Sequence, residues 1–527
     1  MKSIQEGSNL LEYNYSGEEY RSQAKYTVGN GAPVILDYLA DNEYRTEEIK
    51  RNGEKLATIQ YNTNGVPKLV SYANGSSISI EYDRGRLLNY TLNAASTKEY
   101  DKYTFDFDAN QNIKKVISNK GVTEYVYDTL NQLEHEILPD GTEISYEYDE
   151  VGNRTKKTIL KAGTPTTIDY VYDRANQLKK VGNQDYEYDL NGNLKSDGTK
   201  NFIFNDFNQL MEIRDLSDKT IASYTYDESG KRKSTTTSQG TIHYYYDGDQ
   251  VLYETDGNNQ VLREYTYDDN GQPLTMTTNG KTYYYLVNYH GDVIALIDTA
   301  GNEVASYTYD AWGNILTQDG PMAEENPYRY ARYRYDESTK LYYLMARYYN
   351  PVNGRFLSVD PIKGDIEAPL SLNGYSYVSN NPVNFDDTTG TFRNPLTKII
   401  KGAIYVWVSV KVTVMVGGQF VKKQVGKWVI RDTGKLSAKD IVFSDKFKKP
   451  AYKNQVAQRG WTNDSIAKTI NNPYKIDTSV NKYTGNPVTI YFKDKTHYVA
   501  VDNGTGKVIQ VSNRNKADWK FDSTFSK

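Results

Sequence analysis

The 527-residue chain contains no Cys. Disulfides, thiolate metal sites and thiolate nucleophiles are therefore excluded, and a secreted form has to be stable without covalent staples. His is scarce as well: the four are His135, His243, His290 and His497, so no His cluster is available to ligate zinc. No Gly-rich loop ending in Lys-Ser/Thr occurs, which removes the P-loop mode of phosphate binding. Mean hydropathy is -0.74. The apolar stretch Ala403–Val416 is too short for a membrane-spanning helix and has Lys411 near its centre. The opening residues Met1-Lys2-Ser3-Ile4-Gln5-Glu6-Gly7 lack the apolar core of a signal peptide, and we read the chain as a fragment of a longer secreted protein.

What is abundant is Tyr, with 50 residues against 14 Phe and 5 Trp. Tyr buries a large ring while its hydroxyl finds a partner at a wet edge, which suits many short strands and argues against disorder. The length exceeds what one ordinary core accommodates, so several domains or a repeat array are expected. The net charge of -4 conceals a strong asymmetry: residues 1–390 hold 38 Lys and Arg against 58 Asp and Glu, a balance of -20, while residues 391–527 hold 25 against 9, a balance of +16. A basic C-terminal segment of this strength points to a polyanionic partner, the alternative being ordinary solvated lysines.

A Tyr-Asp pair recurs about every twenty residues, among them Tyr127-Asp128, Tyr148-Asp149, Tyr172-Asp173, Tyr188-Asp189, Tyr226-Asp227, Tyr246-Asp247, Tyr267-Asp268 and Tyr309-Asp310. Each unit reads as an alternating aromatic strand, an acidic residue and a Gly or Asn turn, hence a run of hairpins. Units repeated at a fixed period bury their faces against their neighbours, so a long coiled antiparallel sheet is expected.

Units such as Tyr309-Asp310-Ala311-Trp312-Gly313-Asn314 resemble those of Rhs and YD-repeat proteins. The stretches Ala346-Arg347-Tyr348-Tyr349-Asn350-Pro351 through Asp360-Pro361, and Gly374-Tyr375-Ser376-Tyr377 through Asn384, are similar to the Rhs-associated core. The resemblance implies a hollow β-shell, closed by that core and enclosing a C-terminal toxin, in a polymorphic toxin of the Gram-positive wall-associated type. It implies four segments: YD-repeat shell at 1–325, core at 326–390, linking or plug segment at 391–442 and toxin domain at 443–527. Many members release the toxin by autoproteolysis at two Asp-Pro-x-Gly elements. Here the first reads Asp360-Pro361-Ile362-Lys363-Gly364, and the second, Asp387-Thr388-Thr389-Gly390, lacks its Pro. Asp360 and Asp387 are either an acid–base carboxylate pair or turn and strand-end residues.

In the basic segment, Ala403–Val416 is aliphatic and β-branched at its even positions and reads as a strand. A linking strand or plug of the shell is the favoured reading, with membrane entry as the alternative. The last eighty or so residues read as a small α+β module: helices over 452–458 and, capped by Thr462, to Ile470, then strands over 488–493, 496–501 and 507–512. Its acidic residues are few and scattered, which disfavours a two-metal nuclease and a DNase. The cations and polar groups that remain suit RNA, whose 2′-hydroxyl is a built-in nucleophile that needs only alignment and charge stabilisation. Arg459 offers a fork for phosphate, its alternative role being a helix C-terminal cation. Trp461 and Tyr491 are candidates to stack a splayed base, and the alternative for Trp461 is a core residue at the helix junction.

Arg459-Gly460-Trp461-Thr462, Ile470-Asn471-Asn472-Pro473, Thr484 through Tyr491 and Val508 through Asn513 resemble the colicin E5 ribonuclease family over about residues 447–521. That family cleaves tRNA in the anticodon loop without metal, by 2′-hydroxyl attack. By this resemblance Arg459 and Lys453 are the catalytic cations and Lys482 holds substrate; the chemistry of the remaining groups adds Trp461, Tyr491 and Gln510 as candidate substrate contacts. His497 is either a further site residue or a surface strand residue. The two resemblances together imply a mainly β protein ending in a metal- and cofactor-free tRNA endonuclease, acting in contact-dependent growth inhibition. Its partners would be tRNA, an acidic immunity protein and, through a missing N-terminal region, the cell wall, with no DNA. The place would be secreted and wall-associated, with the toxin acting in the cytoplasm of the target cell. The rival reading is a surface adhesin that binds carbohydrate or wall polymer.

Overall fold

A computed structural model gives the fold. It describes residues 2–526 apart from 17–19, 44, 63–64, 84–85, 96–97, 363, 365–368, 392–393, 396–402, 417–418, 433–442, 450–453, 472–474, 482–486, 503–506 and 517–524. The chain divides into two units, Met1–Lys398 and Ile399–Lys527.

The first unit is an antiparallel meander in which each strand pairs with its neighbours in sequence. An 18-stranded sheet runs from Lys2 to Asp185 and a 14-stranded sheet from Glu187 to Asp319. The repeat has a specific chemistry at its turn. The Asp of each pair folds its carboxylate back on the turn: Asp128 Oδ1 accepts the amides of Leu130 and Gln132, each at 2.8 Å, and Asp310 Oδ1 those of Trp312 and Asn314, each at 2.9 Å. The Tyr reaches backward along the chain. Tyr127 donates its hydroxyl to the carbonyl of Ile113, Tyr148 to Leu133, Tyr226 to Leu210, Tyr267 to Val251 and Tyr309 to Val293, at 2.6–2.8 Å. Each such Tyr also sits at a register shift of its ladder, for example between Val126 and Tyr127. The bulge and the hydroxyl go together: where the ladder slips, a side-chain donor takes up a backbone acceptor.

The sheet coils back on itself. Asn9 and Asn259 bond amide to amide at 3.0 Å, Thr46 N donates to Asp269 at 2.9 Å, Tyr90 Oη donates to Val287 O at 3.0 Å, and Tyr26 stacks on Tyr253 with centroids 4.6 Å apart. The residues that interdigitate between the layers are chiefly Tyr, Leu and Ile from alternate strand positions. The expected coiled sheet is thus the observed one.

After the last repeat, the chain forms a short four-stranded sheet over Arg334–Asp336, Leu341–Leu344, Arg347–Asn350 and Arg355–Phe356. It then runs along one row of the Tyr-Asp turns. Asn384 Oδ1 accepts the Ile113 amide at 2.8 Å, Asn380 Nδ2 donates to Gly152 O at 2.7 Å, Asn373 Nδ2 to Asn153 Oδ1 at 2.7 Å and Tyr375 Oη to Gly192 O at 2.7 Å. The segment docks by reading turn carbonyls and turn asparagines, which explains why a stretch so rich in Asn is needed there. Gly192 has φ of +83°, and a Cβ on it would lie 2.7 Å from Tyr375 Oη. Gly192→Ala is therefore expected to cost about 1–3 kcal/mol through strain and lost docking. A lowered urea midpoint of the tyrosine near-ultraviolet signal checks this, and an unchanged midpoint would mean that the segment does not hold that turn.

The second unit contains a hairpin, Ala403–Val416 with Gln419–Asp432, and a smaller module. In the module two helices, Gln455–Gln458 and Asn463–Asn471, accompany an antiparallel sheet. Its strand order is Val508–Val511, Tyr498–Asp502, Pro487–Phe492, Lys475–Asn481 and Phe525–Ser526. The three expected strands are present, and Lys475–Asn481 and Phe525–Ser526 extend them. Of the first expected helix, Gln455–Gln458 is helical, while residues 452 and 453 lie outside the described residues.

Candidate functional site

The module is organised around the corner between its helices. Thr462 and Ser465 cap the second helix reciprocally: Ser465 N donates to Thr462 Oγ1 at 3.1 Å, and Thr462 N to Ser465 Oγ at 2.9 Å. This is the cap expected at Thr462. Trp461 is 1% exposed and packs with Ile466, Val499, Val508 and Val511, while its Nε1 donates to Ser512 O at 2.6 Å. Its ring is therefore a core element and not an exposed base-stacking surface, which corrects its place among the substrate contacts. The indole anchors the corner because one edge is apolar and the other carries a donor that the strand end satisfies.

The strand end 511–515 staples that corner. Arg459 Nη1 donates to Val511 O at 2.6 Å, Arg514 N to Arg459 O at 2.9 Å, Arg514 Nη1 to Gly460 O at 3.0 Å and Asn515 Nδ2 to Gln458 O at 2.9 Å. Gly460 has φ of +76°, and a Cβ there would come within 3.0 Å of Asn515 Oδ1. The order Arg-Gly-Trp follows from this geometry: the Gly turns the chain left-handed so that the Arg before it and the Trp after it both reach the same strand. Arg514 also lies 5.1 Å from the Trp461 ring centroid, so two guanidinium groups border one corner.

The other candidates are dispersed. Register pairs Tyr491 with Val499, and Val499 with Val511, whereas Gln510 pairs with Ala500, so alternation puts Tyr491 and Gln510 on opposite faces of the sheet. Gln510 is buried and its Oε1 accepts Lys446 Nζ at 2.8 Å. The two candidate contacts therefore stand on opposite sides of the sheet. His497 closes the turn from Asp494: Nδ1 lies 2.8 Å from both carboxylate oxygens, and Nε2 is 3.1 Å from Lys516 O. Burial pushes the Asp494 carboxyl up, but the bond from His497 and the amides of Thr496 and His497 outweigh it and hold the group down at about 2. Lys453 and Lys482 lie outside the described residues. The sequence assigns no role to Arg514, Lys446 or Asp494; only three-dimensional register brings them in.

At the junction around Gly390, within the first unit, Arg347 joins the two candidate carboxylates. Its Nη2 donates to Asp360 Oδ2 at 2.7 Å and lies 3.7 Å from Asp387 Oδ2, while Nη1 donates to Gly374 O at 2.9 Å and Nε to Gly390 O. Asp387 Oδ1 accepts the Thr391 amide at 3.0 Å. The Gly390–Thr391 peptide is thus held at both ends, its carbonyl by a guanidinium and its N–H by a carboxylate. Burial raises the Asp360 carboxyl and Arg347 opposes that rise, while burial lowers the Arg347 guanidinium. Among the described residues no group of three or more His, Cys, Asp or Glu is placed to hold a metal ion.

Residues 84–383, with the Tyr-Asp turns and the segment that docks on them, match the model of the Teneurin YD-shell. The chain belongs to this family. In this YD-shell protein residues 444–524, which include the stapled corner, match the Colicin E5 ribonuclease domain. Among curated proteins it is 45% identical over 268 residues to "tRNA nuclease WapA" of Bacillus subtilis (strain 168), which covers 50% of this chain and 12% of that one. It is 43% identical over 268 residues to "tRNA3(Ser)-specific nuclease WapA" of Bacillus spizizenii, with the same 50% and 12% coverage. The YD-shell chain thus spans about an eighth of the length of these relatives. In fold it resembles a chain of the crystal structure of TcdB2-TccC3 without the hypervariable C-terminal region, with a TM-score of 0.60 at 18% identity over 72% of this chain and 21% of that one. A chain of the Photorhabdus luminescens Tc holotoxin pore gives a TM-score of 0.60 at 17% identity over 73% and 23%.

Proposed function

We propose that the chain belongs to a secreted toxin in which residues 1–325 form the shell, 326–390 its core, 391–442 a linking segment and 443–527 an endoribonuclease that cleaves tRNA. The observation that carries this reading is the match of residues 444–524 to the Colicin E5 ribonuclease domain, in a segment with a balance of +16 from residue 391 onward. Relatives named as tRNA nucleases support the substrate class. The reaction is attack of a ribose 2′-hydroxyl, in the anticodon loop, on the adjacent phosphate. The O2′–P bond forms and the P–O5′ bond breaks, leaving a cyclic phosphate and a 5′-hydroxyl, with one proton removed from the nucleophile and one delivered to the leaving oxygen. Arg459 and Lys453 stabilise the charge that develops on the phosphate, and Lys482 holds the backbone. No metal is required. The toxin acts on neighbouring cells by contact, its carrier is anchored at the cell wall, and an acidic immunity protein covers the basic domain in the producer.

The test is incubation of the chain with total tRNA in EDTA. Discrete anticodon-length fragments ending in a cyclic phosphate are expected. Intact tRNA in the presence of folded protein would overturn the nuclease reading and favour the adhesin.

The junction carries a second proposal, that Asp360 and Asp387 act as an acid–base pair for cleavage of the chain next to Gly390. The clamp on the Gly390–Thr391 peptide supports it: Arg347 polarises the carbonyl, and Asp387 is placed to serve the departing amide. Purified chain is expected to yield fragments of about 390 and 137 residues on incubation. Asp387→Asn is expected to slow this by about a hundredfold or more. A wild-type chain that stays whole over the same period would leave the two carboxylates with a turn-holding role.

A further inference from the structure

One turn of the shell inverts the chemistry of the repeat. In the turns opened by Asp108, Asp128 and Asp149, an amide residue closes the loop four positions later and donates to the carboxylate. Asn112 Nδ2 reaches Asp108 Oδ2 at 2.9 Å, Gln132 Nε2 reaches Asp128 Oδ2 at 2.7 Å and Asn153 Nδ2 reaches Asp149 Oδ2 at 3.0 Å. At residues 288–292 the two residue types are exchanged. Asn288 opens the loop, its Oδ1 accepting the amides of His290 and Asp292, each at 2.9 Å, and its Nδ2 donates to Asp292 Oδ2 at 2.8 Å. The exchange keeps the turn and moves its carboxylate to the closing position.

That closing position is the one the docked segment reads. Asn381 Nδ2 donates to Asn112 Oδ1 at 3.2 Å, Asn380 Nδ2 to Gln132 Oε1 at 2.9 Å and Asn373 Nδ2 to Asn153 Oδ1 at 2.7 Å. At 288–292 the contact runs through a ring instead. His290 Nδ1 lies 2.7 Å from Asp292 Oδ1, and Nε2 lies 2.7 Å from Pro382 O. His290 is 5% exposed and Asp292 7%. The same Asp292 Oδ1 accepts the Ala331 amide at 2.8 Å, so the carboxylate acts as an acceptor towards its neighbours. A neutral imidazole has one N–H and one lone pair, whereas both ring nitrogens here face acceptors. Only the imidazolium donates at both ends.

The surroundings favour that form. The charged groups near the ring are Asp292 on its own turn, Asp386 on the docked segment, and Arg332, which pairs with Asp386 at 3.0 Å and borders Gly291. The Tyr330 ring lies 4.9 Å from the imidazole, and burial pushes its hydroxyl well above the usual range, so it stays uncharged. Burial by itself lowers the imidazole, but the charge and bond of Asp292, the charge of Asp386 and the Pro382 carbonyl outweigh it and raise the group above its ordinary value.

We propose that His290 is a proton-operated latch whose imidazolium ties the docked segment, through the Pro382 carbonyl, to the 288–292 turn, and that loss of the ring proton frees this hold. The folded chain binds the proton more tightly than a free His does. The hold is complete below the ordinary histidine value of about 6.5 and is lost as pH rises through the raised folded value. The Asn380, Asn381 and Asn384 contacts do not titrate, so the alkaline state is a local opening and not an unfolded shell. The latch is independent of the nuclease reading and of cleavage next to Gly390.

Two measurements on the full chain test this. With nitrogen-15 in the rings of the four His, both nitrogens of His290 are expected to carry protons at pH about 7.5, where a free His is largely neutral. Replacing His135, His243 and His497 in turn identifies its signal. A His290 ring with one bare nitrogen at that pH would overturn the proposal. The second measurement is amide hydrogen exchange over residues 378–387 between pH about 6 and 9, corrected for the chemical rate. Opening is expected to rise by up to about tenfold per pH unit above about 6.5 and then to level off. His290→Gln, which has no proton to lose, is expected to abolish the rise. A rise that persists in this variant belongs to another group, Glu136 among them, and would also sink the latch. The ring titration needs no change at His290, so it decides the matter even where His290→Gln fails to fold.

Discussion

Replacing Arg459 with Lys is expected to lower tRNA cleavage by about a hundredfold or more while leaving the thermal midpoint of the C-terminal module nearly unchanged. Loss of one well-placed donor at a developing oxyanion costs about 10²–10³ in rate, and a Lys ammonium cannot reproduce the planar fork of a guanidinium. The Lys variant matters because Arg459 has two roles. Its Nη1 is bonded to Val511 O, so Arg459→Ala also removes the partner of a strand-end carbonyl in the staple that holds the helix corner. Leaving that carbonyl short of a partner costs on the order of 1–3 kcal/mol, and a fall in activity would then mix chemistry with unfolding. Lys keeps a donor within reach of the strand. Gel-based initial rates on tRNA, with the midpoint followed by circular dichroism, check the prediction. A Lys variant that cleaves like wild type would move the catalytic role to another cation, with Arg514, beside the same corner, the first to examine.

The second large effect concerns the shell and pH. Glu136 is wholly buried; its Oε1 accepts the Tyr146 hydroxyl at 2.7 Å and its Oε2 the Ala311 amide at 3.1 Å, and Asp310 is close by, with Lys157 3.9 Å from it. Burial, reinforced by the Asp310 charge, pushes the Glu136 carboxyl up to about 7, against hydrogen bonds and Lys157 that pull it down. The folded state therefore binds this proton more tightly than the unfolded chain does. The stability it contributes is fully present below the ordinary carboxylate range and is lost as pH rises through about 7. For this one group the difference is on the order of 3 kcal/mol. Glu136→Gln, which stays neutral, is expected to raise the thermal midpoint of the tyrosine signal above that of wild type at pH about 8 and to flatten its dependence between about 5 and 8. A variant that is less stable than wild type at the alkaline end would show that the ionised carboxylate is the favoured form.

Much of the shell was legible because its signal is periodic. Tyr-Asp pairs about twenty residues apart, with Gly or Asn after them, specify strand, turn and approximate register locally. The backward hydroxyl bonds were not legible, since they join residues 14 to 16 positions apart across a bulge whose position the sequence does not mark. The same holds for the junction: Asp360 and Asp387 are brought together by Arg347, which belongs to an earlier strand and carries no local signal for either.

In the module, Thr462 and the second helix were readable from capping chemistry. Lys475–Asn481 was missed because Lys-Ile-Asp-Thr-Ser-Val-Asn is mostly polar, and its place in the sheet depends on pairing with Pro487–Phe492. Gln419–Asp432 was missed for a related reason, as lysines interrupt its apolar alternation. Trp461 illustrates the limit for site residues. A Trp beside an Arg suits both base stacking and core packing, and only the position of Ser512 O, on a strand fifty residues later, decides between them.

In the five Tyr-Asp pairs described above, the Tyr hydroxyl bond points one way, from a later residue to an earlier carbonyl. A chain that emerges N-terminus first from a ribosome or a secretion channel would therefore find each anchor already laid down when the next Tyr arrives. No bond of this kind has to wait for downstream sequence, so the wall can lengthen one hairpin at a time with little exposed unpaired edge beyond the growing tip. Loss or gain of whole repeats leaves every remaining anchor with a partner, whereas an insertion inside a repeat strands one.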